Sequence, residues 1–316
     1  MKTALVTGGA GFIGSHLARS LVQTGVAVRV LDDLSTGNAH NLADVADRIQ
    51  FIPGDVRDLS ADAAAVQGVD VVFHLAAMVS VPLSVKEPER CHAICATGTL
   101  KVLEAAAAAG VRRVVYAGSS SAYGDAGQGA IAESAPLRPM SPYAAAKLAG
   151  EHYCQAWSAV SNLETVRLRF FNVFGPNQDP SSPYSGVISI FTKLAREGGA
   201  PTIYGDGLQT RDFVYVGDVV RALRLAAETP GVNGEVFNIG RGHAVTLLEL
   251  LSEVGAAAGV KLAPQFAPPR TGDIKHSLAD VAAARHRLGF AAEVALVDGL
   301  KRCLDAVDHG APSKTP

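Results

Sequence analysis

The first half of the chain alternates two hydrophobic periods. Short β-branched runs stand at residues 4–6, 28–31, 50–52, 71–75 and 114–117. Between most of them apolar residues recur at helical spacing. Ile13, Leu17 and Leu21 share one helix face, and Gly25 ends that stretch. Residues 100–109 read as an alanine-rich helix stopped by Gly110, so their low complexity reflects helix propensity. A longer helix is expected to start at Ser141-Pro142-Tyr143, with Ser141 as cap and Pro142 in the first turn. A sixth strand is expected at residues 163–171. Strands alternating with helices predict an α/β fold, a doubly wound parallel sheet with helices on both faces.

The texture changes after Gly175-Pro176. Residues 177–186 are rich in Pro, Ser and Asn and read as a loop over a site. Beyond them short helices and strands mix, and residues 264–269 are punctuated by proline. The expected division is residues 1–173 as the sheet domain and residues 174–316 as a smaller mixed lobe, some of whose segments return to the first. Residues 309–316 read as a loose tail.

Composition narrows the function classes. Of 316 residues, 48% are hydrophobic and 18% charged, the balance of a soluble globular protein. A net charge of −2 gives no reason to expect nucleic acid or an acidic membrane surface as partner. The N-terminal apolar run is too short for a signal peptide, and no later stretch is long enough to span a membrane. Four cysteines in a chain this long read as reduced thiols rather than a disulfide framework, so a cytoplasmic location is expected. Cys91-His92-Ala93-Ile94-Cys95 is not followed by a second ligand pair at zinc spacing, and no metal is expected.

Two motifs carry chemistry. Thr7-Gly8-Gly9-Ala10-Gly11-Phe12-Ile13-Gly14 joins the first strand to the first helix. Glycine there permits a tight turn, close approach of backbone to a pyrophosphate, and close packing of helix on strand. The helix start then offers free N–H groups to phosphate. Asp32 ends the second strand about twenty residues on, where a carboxylate accepts from ribose hydroxyls. Asp33 follows with no arginine beside it, which disfavours a 2′-phosphate and points to NAD. In the second motif Tyr143 and Lys147 share one face of the long helix. A nearby ammonium favours the phenolate and would make Tyr143 a usable general base. Ser119-Ser120-Ser121 closes the fifth strand, at the carboxyl edge where a doubly wound sheet meets its ligand. Ser119 and Ser120 are both candidates to steady the reacting hydroxyl.

The spacing Gly8, Gly11, Gly14, twinned with Tyr143 and Lys147, resembles the extended short-chain dehydrogenase/reductase class, a Rossmann fold. Residues 169–176, Gly205-Asp206-Gly207, Arg211-Asp212-Phe213 and Arg270-Thr271-Gly272-Asp273 extend the likeness to the NAD-dependent epimerase/dehydratase family, and within it to the UDP-glucose 4-epimerase group. The resemblance implies that Phe12, Ile13, Ala117 and Phe170 line the cofactor. It places Asp33, Ser35, Thr36, Gly37 and Asn38 on the adenosine side, Asp55 and Val56 at the adenine, and Leu75-Ala76-Ala77 along the cofactor backbone. For the substrate it implies Ser80, Ser119, Tyr143, Asn172, Gly186, Val187, Phe191, Tyr204 and Ser277. Arg211 and Arg270 would clamp the diphosphate, and Asp273 would meet the uridine ribose.

The implied reaction inverts carbon 4 of a UDP-hexose through a 4-keto sugar, with NAD regenerated. The related 4,6-dehydratases carry an Asp-Glu pair just after the catalytic Ser/Thr. Here Ser120-Ser121-Ala122 stands there, which argues against elimination. Inversion of a UDP-uronic acid, another sugar-nucleotide reaction (4,6-dehydration or 4-keto reduction) and a non-catalytic dinucleotide sensor stay open as alternatives. A small Ser277, with Ser80-Val81-Pro82, predicts a pocket that also admits N-acetyl sugars. Cys95 or Ala96 stands where the family often has asparagine, which predicts a weaker hold on the cofactor, with Cys95 as a packing residue. Relatives pair through a four-helix bundle, and the helices at residues 100–109 and 143–160 would serve a homodimer.

Overall fold

The computed structural model describes residues 1–60, 62–178, 186–269 and 274–308. The glycine turn lies between strand β1 (Thr3–Thr7) and helix α1 (Phe12–Gln23). Then come β2 (Ala27–Asp32), a 3-10 stretch at Ala39–Arg48 in place of a full crossover helix, β3 (Ile49–Pro53) and β4 (Val71–His74). Two short helices, α2 (Val81–Lys86) and α3 (Pro88–His92), lead through a π-helical turn at Ala93–Thr97 into α4 (Gly98–Ala108). Strand β5 (Arg113–Ser119), the long helix α5 (Pro142–Val160) and strand β6 (Glu164–Phe170) complete the first half.

Among the described residues seven strands pair in parallel in the order β10-β6-β5-β4-β1-β2-β3, where β10 is Val236–Ile239. The reversal of direction falls beside β1, which places a crevice at the carboxyl ends of β1, β4 and β5. Successive strand residues point to opposite faces and bury against different helices. Val6, Val30 and Val115 pack with Leu17 of α1, while Leu5, Val72 and Tyr116 pack with Leu103 of α4 and Cys154 of α5.

After β7 (Asn172–Phe174) the chain builds a smaller lobe from α6 (Val187–Glu197), β8 (Thr202–Tyr204) and β9 (Thr210–Tyr215). It returns to the large domain with α7 (Val216–Glu228), which packs on α1, and with β10 at the sheet edge. β11 (Ala244–Thr246), α8 (Leu247–Ala258), β12 (Gln265–Ala267) and α9 (Leu296–Asp308) finish the lobe. Its sheets have the orders β11-β9-β7 and β12-β8, around a core that includes Phe174, Phe213, Leu250 and Leu300. Most of the loop expected at 177–186, and the tail at 309–316, lie outside the described residues. Among the described residues no helix is long and apolar enough to cross a membrane.

A buried polar bracket fixes α5 to the sheet. Arg169 of β6 donates through Nε to Glu151 of α5 at 3.0 Å and pairs with its second oxygen, and both side chains are buried. Arg169 also reaches the Tyr123 hydroxyl at 2.7 Å, which donates to Asn238 of β10 at 2.6 Å. Removing one partner from such a pair leaves the other charge buried and uncompensated, at about 3–5 kcal/mol. Glu151→Ala should therefore lower stability by that order in urea denaturation. A loss under about 1 kcal/mol, the scale of an exposed pair, would contradict the bracket.

Candidate active site

The glycine turn is shaped by close approaches. Gly8 has φ of +69°, and a Cβ on it would lie 2.7 Å from the Ala76 nitrogen. A Cβ on Gly14 would lie 2.2 Å from the Gly8 carbonyl oxygen. These contacts pull the start of α1 against the ends of β1 and β4 and leave a backbone cradle that side chains would fill. The residues present therefore fit a dinucleotide pyrophosphate at the positive end of α1.

Asp32 stands at the end of β2, buried, and accepts from the Ala10 and Leu34 N–H groups at 2.9 Å each. Burial pushes its carboxyl up, and those two bonds pull it back. Asp33 accepts from the Ser35 N–H at 2.9 Å and the Ser35 hydroxyl at 2.7 Å. Leu34 turns the chain with φ of 57°. Thr36 and Gly37 follow, and a Cβ on Gly37 would meet an Asp32 oxygen at 2.9 Å. Asn38 N–H donates to the Ala10 carbonyl at 3.0 Å, tying this segment to the glycine turn. Asp55 accepts from the Arg57 N–H at 2.8 Å and from its guanidinium, which holds the carboxyl below its ordinary value. Its carboxylate thus caps a turn, and the adjacent Val56 packs beneath Gly98. Phe12 and Ile13 open α1, Leu75, Ala76 and Ala77 leave β4, and Ala117 and Phe170 lie buried in β5 and β6.

Tyr143 sits in the first turn of α5. Ser141 caps that helix by accepting from the Ala144 N–H at 3.1 Å, and the buried Ser84 of α2 accepts from the Tyr143 N–H at 3.1 Å. Ser119 is the hydroxyl whose influence on the phenol works toward the phenolate. Ser119, rather than Ser120, is therefore the serine that meets the tyrosine. The two diverge because Ser120 enters a 3-10 turn over Ser120–Tyr123 that Ser119 caps, accepting from the Ser121 N–H at 3.2 Å. Ser121, which the sequence did not single out, holds the Ser119 hydroxyl from behind at 2.8 Å.

Lys147 lies one turn further along α5, buried, with Nζ 4.3 Å from the Tyr116 ring centroid. The Tyr116 hydroxyl donates to the Lys147 carbonyl at 2.8 Å. Burial lowers the ammonium pKa, against the opposing influence of Cys95. Burial also pushes the Tyr143 phenol up, Cys95 adds to that, and Ser119 opposes it. The expectation that Lys147 brings the phenol down is thus not met in this chain, where burial outweighs any such pull. Cys95 packs with Met78, Ala146 and Tyr143, as a core thiol would. It also accepts from the Met78 N–H at 3.3 Å, and the neighbouring Cys91 thiol lowers its pKa.

On the substrate side, Asn172, Val173, Phe174, Gln178, Gly186 and Val187 surround a cavity of about 90 Å³. Asn172 donates to the Asp212 carbonyl at 3.3 Å. Phe191 is buried in the core of the small lobe. Tyr204 ends β8, and Arg211 of β9 donates to the Thr210 carbonyl at 2.9 Å. Ser277, buried, is drawn to the same place, since its N–H donates to the Thr210 carbonyl at 3.2 Å. Ser80 caps α2, accepting from the Leu83 N–H at 3.1 Å, one turn before Ser84. Arg270 and Asp273 lie outside the described residues. Asp212, which follows Arg211, has a role that its motif alone does not reveal. It is a fully buried carboxylate that accepts from the Arg241, Gly242 and Ala279 N–H groups at 2.7, 2.9 and 3.2 Å. It anchors the strand that carries Arg211 to the segment that carries Ser277.

Known proteins share the sequence and the fold of this chain over nearly its whole length. A UDP-glucose 4-epimerase of Mycolicibacterium smegmatis is 40% identical over 309 residues, which cover 96% of this chain and 98% of that protein. A UDP-N-acetylglucosamine 4-epimerase from Methanobrevibacter ruminantium, solved with UDP-N-acetylmuramic acid, superposes with a TM-score of 0.94. It is 35% identical, with 98% of this chain and 99% of that one covered. A UDP-glucose 4-epimerase of Thermus thermophilus in complex with NAD gives a TM-score of 0.89 at 36% identity, covering 98% of this chain and all of that one, 100%. The family model for the NAD dependent epimerase/dehydratase family matches residues 4–240. The chain belongs to the NAD dependent epimerase/dehydratase family.

Proposed function

We propose that this chain is an NAD-dependent epimerase that inverts carbon 4 of a UDP-hexose. The observation that carries the reading is the burial of Tyr143's helix face with Lys147 on α5 against the carboxyl end of β5, where Ser119 works toward the phenolate. Gly8, Gly11 and Gly14 would hold the cofactor pyrophosphate, Asp32 the adenosine ribose, and Lys147 the nicotinamide ribose. NAD, when bound, supplies reversible hydride acceptance at carbon 4. Tyr143 moves the proton: its phenolate oxygen takes the proton of the 4-hydroxyl and returns it after the keto sugar has turned over. Ser119 steadies that hydroxyl, itself oriented by Ser121. Asn172, Val187, Tyr204 and Arg211 would bind the nucleotide sugar, with Arg211 on the diphosphate. Arg270 and Asp273 belong to this proposal on sequence alone.

The small Ser277 beside Arg211 supports a pocket that takes N-acetylated as well as plain hexoses. The chain's likeness to an N-acetylglucosamine epimerase supports the same reading. The four free cysteines support a cytoplasmic place of action. Tyr153 and Val160, exposed on α5 at 39% and 79%, support a homodimer that buries α4 and α5 in a four-helix bundle.

Tyr143→Phe should lower turnover of UDP-glucose by about 10²–10⁴-fold while the protein still binds NAD. Full activity in that variant would remove the tyrosine from the mechanism. Because the active form is the phenolate and burial raises its pKa, kcat should climb with pH from neutral into the alkaline range. Ser119→Ala removes the hydroxyl that favours the phenolate, so that limb should move to higher pH. An unmoved limb would contradict the pairing. Ser277→Tyr should suppress turnover of UDP-N-acetylglucosamine and spare UDP-glucose, measured by proton NMR, and equal loss of both would contradict the pocket-size argument.

A further inference from the structure

His74 ends β4 with a fully buried ring that the mechanism does not use. Its Nδ1 lies 2.8 Å from the Thr7 hydroxyl oxygen, and its Nε2 lies 2.9 Å from the Thr99 hydroxyl oxygen. The protons can be assigned from the ends inward. The Thr99 hydroxyl has one proton and donates it to the Cys95 carbonyl at 2.7 Å, so its oxygen accepts from His74 Nε2–H. Nδ1 then carries the lone pair and accepts from the Thr7 hydroxyl, whose oxygen in turn accepts from the Ala76 N–H at 3.3 Å. Every donor and acceptor of the chain is used, with the ring neutral and in the Nε2–H tautomer. Burial holds its pKa down to about 3, and the Lys147 charge adds to the shift.

The two ends of this chain are two different parts of the site. Thr7 precedes Gly8, and Ala76 is the residue that Gly8 closes upon, so one end braces the cofactor cradle. The other end is the π-helical turn at Ala93–Thr97, where the Gly98 N–H bonds back to the Ala93 carbonyl. That turn carries Cys95, which packs on Tyr143. Helix α5 lies directly against it. A Cβ on Gly150 would stand 3.0 Å from the Thr99 hydroxyl oxygen and 3.1 Å from the Cys95 carbonyl oxygen. Such turns are frequent where a helix is shaped for function.

We propose that His74 is a positioning residue whose neutral Nε2–H tautomer braces two parts of the site separately, the cofactor cradle through Thr7 and the turn beneath Tyr143 and Lys147 through Thr99. This deepens the epimerase reading and rests on it for the catalytic half of its consequences.

The two halves of the ring can be removed separately in the full-length holoenzyme. His74→Asn keeps an acceptor at the Nδ1 position for Thr7 and deletes the donor to Thr99. His74→Gln keeps a donor at the Nε2 position and deletes the acceptor for Thr7. Loss of one buried hydrogen bond corresponds to about a tenfold effect. His74→Asn should lower kcat about tenfold and leave the rate of NAD release nearly unchanged. His74→Gln should speed NAD release about tenfold and leave kcat at saturating NAD nearly unchanged. Equal losses of kcat and NAD retention in both variants, with equal falls in melting temperature, would reduce His74 to a core residue and overturn the proposal. Nitrogen-15 NMR of the wild-type His74 ring tests it even if a variant fails to fold: the Nε2–H tautomer is expected, and an Nδ1–H tautomer or a charged ring would overturn it. Wild-type protein that shows the tautomer and holds NAD but turns over no UDP-sugar would instead count against the epimerase reading.

Discussion

Helix α5 reaches the strand ends because one of its residues has no side chain. A Cβ on Gly150 would stand 2.6 Å from the Tyr116 hydroxyl oxygen and close to Thr99 and Cys95. With hydrogen there, the helix settles against β5 and α4, and the Tyr116 hydroxyl donates to the Lys147 carbonyl at 2.8 Å. Lys147 is thereby buried over Tyr116, and Tyr143, one turn earlier, is brought to Ser119. The Arg169–Glu151 pair locks the same helix from its sheet side. Position, in this site, comes from packing first and from polar contacts second.

That packing has an electrostatic consequence. Burial disfavours charge on both reactive side chains, raising the phenol and lowering the ammonium. Burial thus holds the Tyr143 phenol above its ordinary value, with Ser119 working toward the phenolate. A cationic nicotinamide in the crevice is the natural counterweight, so the phenolate would be most readily formed only when the oxidised cofactor is in place. Coupling proton removal to a loaded site limits idle chemistry, and it fits an enzyme whose cofactor is used and restored in each turnover.

Much of this was legible in the sequence because it rests on local rules. The glycines at 8 and 14 stand where a Cβ would collide with backbone, and Asp32 falls at the strand end that such a turn implies. Ser141-Pro142 marks the start of α5, and helical spacing then puts Tyr143 and Lys147 on one face. What stayed hidden depends on neighbours distant in the chain. Ser119 and Ser120 look alike until the 3-10 turn separates them. Asp212 and His74 take their roles from partners that no spacing reveals, at Gly242 and Ala279 for one and at Thr7 and Thr99 for the other. Phe191, read as a pocket residue by resemblance, lies in a core whose outline only tertiary packing defines.

The most direct test of the account follows the hydrogen on carbon 4. UDP-glucose carrying deuterium at that carbon should be converted to its 4-epimer by the purified protein with the label kept on carbon 4, as read by proton NMR and mass spectrometry. Retention is the result the account predicts, because the hydride leaves and returns within one closed site. Loss of the label to solvent, or its appearance at carbon 6 of a 4-keto product, would contradict inversion by transient oxidation and would assign the site to a different reaction of the family.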